Sequence, residues 1–121
     1  MAVEEYERVH AETRSEWRSW LAANHASSPG VWLVSWKRST GKPTVGYDAA
    51  VEEALCFGWI DSLAKTVDDA RSRQLFTPRR AKSRWSQSNR ERVERLSAAG
   101  LMEPAGLAAV GAAKAAGTWE T

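Results

Sequence analysis

Residues 48–67, DAAVEEALCFGWIDSLAKTV, predict an α-helix that leads directly into a β-strand. The helical half carries apolar residues at the spacing of one helix face, at Val51, Ala54 and Leu55. Asp48 is the predicted N-cap. Gly58 ends the helix, because glycine adopts the left-handed backbone conformation of helix C-termini without strain. A strand over 59–67 follows, so this stretch predicts a helix joined to a sheet without a loop.

A hairpin and an earlier strand complete the predicted sheet. A strand over 73–77 follows the first one, and Asp68 and Asp69 between them favour a turn. Pro78 lacks a backbone donor, so it ends this strand or places it at a sheet edge. A third strand is predicted over 31–38 from its β-branched and aromatic residues.

The first predicted helix covers residues 9–24. Thr13 and Glu16 have the spacing of a capping box near its start. Apolar residues of this segment fall on one helix face, at Trp17, Trp20 and Leu21. This face is expected to pack against the sheet.

Two further helices are predicted in the C-terminal part of the chain. Ser86 or Ser88 starts the third helix, and Ser88 has the better capping-box spacing. Pro104 starts a fourth, alanine-rich helix that ends near Gly117. The order α-β-α-β-β-α-α predicts an α+β fold, with about four helices packed on a small, mainly antiparallel sheet of about three strands.

The chain is expected to form one domain over residues 1–121. Its 121 residues suffice for a single core, and no low-complexity linker interrupts them. The predicted parts are an N-terminal helix over 9–24, a sheet with an intervening helix over 31–77, a basic loop over 78–89 and C-terminal helices over 86–117.

Composition limits the compartment and the chemistry. No apolar run approaches the roughly 20 residues that span a bilayer, so no membrane partner is expected. The acidic N-terminus has no secretory signal pattern and Cys56 has no disulfide partner, which predicts a cytoplasmic location.

The histidines, the single cysteine and the dispersed glycines form no zinc or phosphate-loop motif, so no metal and no cofactor is expected. Cys56 is expected in the core and His25 at helix carbonyls. No pattern indicates the oligomeric state.

Charge is divided unevenly along the chain. Residues 71–95, the basic segment, contain nine basic and two acidic residues, a net charge of +7 that leaves −5 elsewhere. Such a segment suits anions, including nucleic acid, and arginine binds oxyanions in a bidentate way. A solvated helix surface with local ion pairs accounts for it equally well.

The seven tryptophans are the second compositional feature. Four lie on apolar faces and are predicted to be core residues, namely Trp17, Trp20, Trp32 and Trp59. Trp36 adjoins Lys37 and Arg38, where either packing or a cation–π contact is expected. Trp85 lies among arginines, where it is either a stacking platform for a ligand or an anchor for the loop.

Asp61 is the acidic residue in the most unusual predicted setting. By strand alternation Trp59, Asp61 and Leu63 share one sheet face, where a carboxylate requires a partner. Arg79 or Arg80 is the expected partner. The result is either a buried Asp61–Arg79 pair or the polar floor of a pocket roofed by Trp59 and Trp85. The acids of the second helix, Glu52 and Glu53, are expected to face solvent.

The loop before the third helix combines cations with hydroxyl and amide groups. Since a helix start attracts anions, this loop is a candidate oxyanion site, although its hydroxyls also suit capping and turns. The candidate ligand-binding residues are Trp59, Asp61, Arg79, Arg80, Ser83, Trp85, Ser86 and Asn89. No catalytic or metal-binding residue is predicted.

Two long blocks resemble a known family: AAVEEALCFGWID over 49–61, and FTPRR-x-KS-x-WS-x-x-N over 76–89. Shorter matches are W-x-x-WL-x-x-NH over 17–25, GVWL over 30–33 and G-x-M-x-P-x-G over 100–106. In this order the blocks resemble the YdeI/OmpD-associated family. The resemblance implies a bacterial cytoplasmic protein of a group sometimes labelled bacteriocin-protecting. Many members continue with a further helical segment, which is lacking here after Thr121.

These observations predict a small cytoplasmic binding protein with a Trp- and Arg-lined site for a planar or anionic small molecule. The resemblance suggests a protective or sequestering role. One alternative is nucleic-acid binding through the basic segment. The other is a small enzyme that uses Asp61 as an acid–base group. An enzymatic activity is left open, with binding favoured.

Overall fold

The computed structural model describes residues 6–80 and 82–120, which form four strands and four helices. The elements are β1 (Glu7–His10), α1 (Arg14–Asn24), β2 (Val31–Trp36), α2 (Tyr47–Cys56), β3 (Trp59–Thr66), β4 (Arg71–Pro78), α3 (Gln87–Ala98) and α4 (Pro104–Ala116). A short 3-10 turn, Arg38–Thr40, follows β2. The α+β class is as predicted.

The sheet is mixed, with strand order β1-β2-β4-β3. β1 runs parallel to β2, and the β2–β4 and β4–β3 pairs are antiparallel. The predicted sheet of about three strands therefore lacks one strand. The observed order of elements begins with a strand, whereas the predicted order begins with a helix.

The start of the first predicted helix is wrong, because residues 7–10 form strand β1. Glu7 pairs with Val31 and His10 with Val34, so this segment gains its backbone partners from the apolar strand β2. The helix begins only after Thr13, which has an extended backbone and accepts a hydrogen bond from the Glu16 N–H.

The observed starts of two other helices differ from the predicted starts by one or two residues. α2 begins at Tyr47 after Gly46, and Asp48 lies in its first turn rather than at the N-cap. The α3 cap is Ser86, whose hydroxyl accepts from the Asn89 N–H at 3.2 Å, and not the favoured Ser88. The fourth helix begins at Pro104 and is capped by Gly117, as predicted.

The predicted hairpin is confirmed as β3–β4, and its turn is closed by the Asp68 carboxylate, which accepts from the N–H groups of Ala70 and Arg71. β4 ends at Pro78 but lies between two strands, so the edge alternative is wrong. A β-bulge interrupts β3.

The bulge breaks the predicted alternation after Asp61. Asp61 pairs with Phe76 and Ala64 with Gln74, so Ser62 and Leu63 together occupy the place opposite one residue. Ala64, not Leu63, therefore follows Asp61 on the same sheet face. The side chain of Leu63 is exposed.

The four helices share one core with a face of the sheet, and α1, α3 and α4 each pack against α2. Trp17 occupies its centre, with its ring 5.7 Å from Trp20 and 5.0 Å from Phe76. The Trp17 indole N–H donates to the Ala50 carbonyl at 3.0 Å, which ties α1 to α2. Trp59 is buried in this core as predicted, and Trp20 is half-buried against it.

Trp32 is also buried, but on the opposite face of the sheet. Strand alternation places Trp32 and Arg73 together there, and the guanidinium carbon of Arg73 lies 4.1 Å from the centre of a Trp32 ring. On this face Arg73 thus covers part of the Trp32 ring through a cation–π contact.

The expectation that Glu52 and Glu53 face solvent is wrong, since both are buried on α2. Glu53 binds Arg14 and Arg18, with Arg18 Nη1 at 2.7 Å. Glu52 binds Arg14 and Arg95, each at 2.8 Å. These ion pairs join α1, α2 and α3, and they compensate the cost of burying two carboxylates.

Candidate functional site

A cleft of about 470 Å³ lies where the sheet continues past the first turn of α2. Residues from β2, β3, β4 and α2 line it, including Leu33, Tyr47, Asp61, Leu63 and Gln74. We call it the Asp61 cleft. Its volume is within the range of about 300–1,000 Å³ that is usual for small-molecule sites, and its mixed lining suits a ligand with polar and apolar parts.

The Asp61 carboxylate is held by two neutral donors. Its Oδ2 accepts from the Tyr47 hydroxyl and from Gln74 Nε2, each at 3.2 Å. Within residues 6–80 and 82–120, no hydrogen bond to Oδ1 is formed. The carboxylate is therefore fixed in place while one of its oxygens is free to accept from a ligand.

Tyr47 remains a donor at neutral pH. Partial burial raises the pKa of its phenol, and the charge of Asp61 and the hydrogen bond to it raise the pKa further. The residue still exposes 55% of its surface, because it is the first residue of α2. Its hydroxyl can therefore orient Asp61 while its ring borders the cleft.

Besides Arg73, which lies against Trp32, two further cations line the same cleft, Lys37 and Arg38. Their backbone is anchored, since the Lys37 N–H donates to the Ala70 carbonyl and the Lys37 carbonyl accepts from the Thr40 hydroxyl. Neither side chain forms an ion pair with another described residue. The cleft thus offers one carboxylate and two unneutralised cations.

The predicted meeting of Arg79 with Asp61 does not occur in the described residues. Arg79 Nη2 donates to the Arg84 carbonyl at 2.8 Å and to Ser83 Oγ at 3.3 Å. Its guanidinium carbon lies 3.9 Å from the centre of the Trp85 ring. Burial lowers the pKa of Arg79, and the charge of Asp61 only opposes that shift. Asp61 instead accepts hydrogen bonds from two neutral partners, Tyr47 and Gln74.

Both tryptophans of the predicted roof are in the core. Trp59 is 1% exposed and meets Trp20 edge-on, and Trp85 is 2% exposed and packs against Trp119. The alternative in which Trp85 anchors the loop is the one that the structure shows. Neither indole borders the Asp61 cleft.

The other candidate residues separate into two groups. Ser86 caps α3, and the side-chain oxygen of Asn89 accepts from Arg92 at 2.9 Å. Arg80 and Ser83 line a second cleft of about 380 Å³ beside β4. The eight predicted residues thus do not form one site, since they lie in the core, in the loop over Trp85, at the start of α3 and in two clefts.

Tyr47, Gln74, Lys37 and Arg38 were not predicted as site residues. Gln74 carried the clearest signal, because a hairpin closed at Asp68 places position 74 close to position 61 on one face. Tyr47 carried none, since its contact with Asp61 depends on how α2 packs on the sheet.

Cys56 and His25 have structural roles, as predicted. Cys56 is fully buried, and burial raises the pKa of its thiol. His25 Nδ1 lies 2.8 Å from the Leu21 carbonyl oxygen at the end of α1. In the described part of the chain, no group of three or more potential metal ligands comes together.

The described residues form an α+β domain in which the Asp61 cleft is a polar, partly cationic surface cavity. A family model described as "Domain of unknown function (DUF8412)" matches residues 9–109, and the chain belongs to this family. The match contains every residue of the Asp61 cleft. No curated protein and no solved structure matches the chain.

The helices of the described residues are all too short or too polar to cross a membrane.

Proposed function

We propose that the protein binds a small molecule in the Asp61 cleft. The observation that carries this proposal is the Asp61 carboxylate, whose Oδ2 is fixed by Tyr47 and Gln74 while Oδ1 is left for a ligand. A carboxylate in a fixed position is a strong acceptor for an amine, amide or hydroxyl group.

The cations of the same cleft extend the ligand chemistry. Lys37 and Arg38 supply positive charge for an anionic group, and Leu33 and Leu63 supply apolar surface for a planar part. A small molecule with one donor group and one anionic group satisfies both. An amino acid or an aromatic carboxylate with an amino group has this combination.

The biological role that we propose is protective sequestration in the cytoplasm. Its support is the sequence resemblance to the YdeI/OmpD-associated proteins and the buried free thiol of Cys56, which suits a reducing compartment. The family match does not itself connect the chain with those proteins.

Ligand-observed NMR with a panel of amino acids, amines and aminobenzoates tests the binding proposal. Compounds with both groups are expected to bind, and Asp61→Asn to weaken their binding at least tenfold. Asp69→Asn is the matched control, because Asp69 is exposed in the β3–β4 turn. A panel without any binder that depends on Asp61 would contradict the proposal.

An enzymatic role for Asp61 is the second candidate. The free Oδ1 beside the Tyr47 hydroxyl gives a proton acceptor next to a proton donor, which acid–base chemistry requires. Turnover of a bound panel compound, lost in Asp61→Asn but slowed only in part in Tyr47→Phe, would support this role.

Nucleic-acid binding through the basic segment has less support from the geometry. Partners engage five of its nine cations: Asp68 holds Arg71, Trp32 contacts Arg73, Trp85 contacts Arg79, Asp48 holds Arg92 and Glu52 holds Arg95. Fewer cations are left for phosphates, so a salt series with an oligonucleotide is expected to give a shallow slope.

A further inference from the structure

The second cleft, of about 380 Å³, has a lining suited to an anion. Its residues are Ile60, Thr77, Pro78, Arg80, Lys82 and Ser83, and we call it the Arg80 cleft. It therefore contains two cations, two hydroxyl groups and no carboxylate. It differs in this respect from the Asp61 cleft, where an acid is the central group.

The two cations of the Arg80 cleft are not neutralised by the protein. Neither Arg80 nor Lys82 forms an ion pair or a side-chain hydrogen bond with another described residue. Two like charges brought to one cleft repel each other, and an anion between them removes that repulsion.

Arg79 fixes the chain around these cations. Its guanidinium stacks on buried Trp85 and donates to the Arg84 carbonyl, and the Ser83 N–H donates to the Arg80 carbonyl at 3.0 Å. Arg79 thereby ties Ser83 and Arg84 to the buried Trp85 before any ligand arrives. A preorganised site binds more tightly, because less conformational freedom is lost on binding.

The Ser83 hydroxyl adds a directed donor. Ser83 Oγ accepts from Arg79 Nη2 at 3.3 Å, and its own hydrogen has no acceptor among the described residues. Thr77 provides a second hydroxyl at the same cleft. Oxyanions with several acceptor oxygens match such a set of cationic and neutral donors.

We propose that the Arg80 cleft binds a phosphate group, either free or as the monoester of a small molecule. Arg80 and Lys82 neutralise the charge, Ser83 donates a hydrogen bond, and Ile60 and Pro78 contact the rest of a monoester. This site is independent of the proposed function, because Ile60 and Thr77 lie on the sheet face opposite Asp61.

Titration of the intact protein with phenyl phosphate and with inorganic phosphate, followed by amide NMR shifts, tests the proposal. Saturable shifts are expected from Thr77 to Ser83. Arg80→Gln/Lys82→Gln is expected to weaken binding at least tenfold. Arg84→Gln is the matched control, since Arg84 is exposed on the same loop but outside the cleft lining, and it should change binding less than twofold.

The two phosphate ligands and the variants distinguish a monoester site from a site for free phosphate and from nucleic-acid binding. Tighter binding of phenyl phosphate identifies a monoester site, and equal binding identifies a site for the free ion. An equal loss in Arg84→Gln, or the absence of saturable shifts, would overturn the proposal. Binding of an oligonucleotide alone, with a steep salt slope, would also overturn it. Asp61→Asn should leave phosphate binding intact even if the Asp61 cleft binds nothing.

Discussion

The Arg79 guanidinium lies over the Trp85 indole, its central carbon 3.9 Å from the ring centre, and donates to the Arg84 carbonyl at 2.8 Å. One side chain thus holds the connection between β4 and α3 on the core. Stacking and a charge-assisted hydrogen bond act together here, because Trp85 is itself buried.

Replacing this guanidinium should therefore destabilise the fold. We expect Arg79→Met to lower the free energy of unfolding by about 2 kcal/mol, from the lost cation–π contact and hydrogen bond. Urea denaturation measures the change. Arg84→Met, at an exposed position, should stay within about 0.5 kcal/mol of the wild type. Equal stability of Arg79→Met and the wild type would show that the stack is unimportant.

Two glycines of α4 should respond in opposite directions to alanine. A Cβ on Gly106 would lie 2.3 Å from the Cys56 carbonyl oxygen, whereas a Cβ on Gly111 meets nothing within 4 Å. We expect Gly106→Ala to cost about 3 kcal/mol or to prevent folding. Gly111→Ala should stabilise by about 0.5–1 kcal/mol, through higher helix propensity. Thermal denaturation of both variants measures this, and similar shifts would contradict the close packing of α4 on α2.

Glu52 should make stability sensitive to acid. Burial alone would raise the pKa of Glu52, but its hydrogen bonds and ion pairs with Arg95 and Arg14 lower it below its ordinary value. Because the folded-state pKa is the lower one, the stabilisation is present above the unfolded-state pKa and is lost as pH falls through the folded-state value.

We therefore expect Glu52→Gln to destabilise the protein by about 1–3 kcal/mol at neutral pH and by less below about pH 4. Urea denaturation across a pH series measures the difference. Glu94→Gln removes a carboxylate from an exposed position of α3 and is the control. A loss in Glu52→Gln that is constant over all pH values would contradict the assignment.

Tyr47 should ionise late and report on Asp61. Burial and the neighbouring carboxylate raise the pKa of its phenol, so its contribution to stability is present below the unfolded-state pKa and is lost as pH rises through the folded-state value. Asp61→Asn is expected to bring that pKa back toward 10. Ultraviolet titration, with Tyr47→Phe to assign the signal, measures it, and an unchanged titration in Asp61→Asn would sink the Tyr47–Asp61 hydrogen bond.

Most of the helices and strands could be predicted because their signals are local. Gly58, Pro104 and Gly117 act through their own backbone preferences, and they mark boundaries that the structure keeps. Strand β1 lacks such a signal: its backbone partners lie 24 residues away in β2, since Glu7 pairs with Val31. Long-range pairing of this kind does not appear in a short sequence window.

The candidate site was predicted in part for the same reason. Asp61 was identified because an acid in a half-buried strand requires a partner. The choice of partner depends on the three-dimensional packing that brings Tyr47 and Gln74 to Asp61 and leaves Arg79 on Trp85. Glu52 and Glu53 illustrate the same limit, because their three arginines come from two other helices, α1 and α3.

The β-bulge of β3 at Ser62 and Leu63 also affects the aggregation of the protein at high concentration. β3 is an outer strand of the sheet, and a straight outer strand is a template on which another polypeptide can add through its main chain. The extra residue of the β-bulge twists this outer strand and interrupts its row of backbone hydrogen-bond donors and acceptors. The β-bulge next to Asp61 therefore also disfavours aggregation through the outer strand β3.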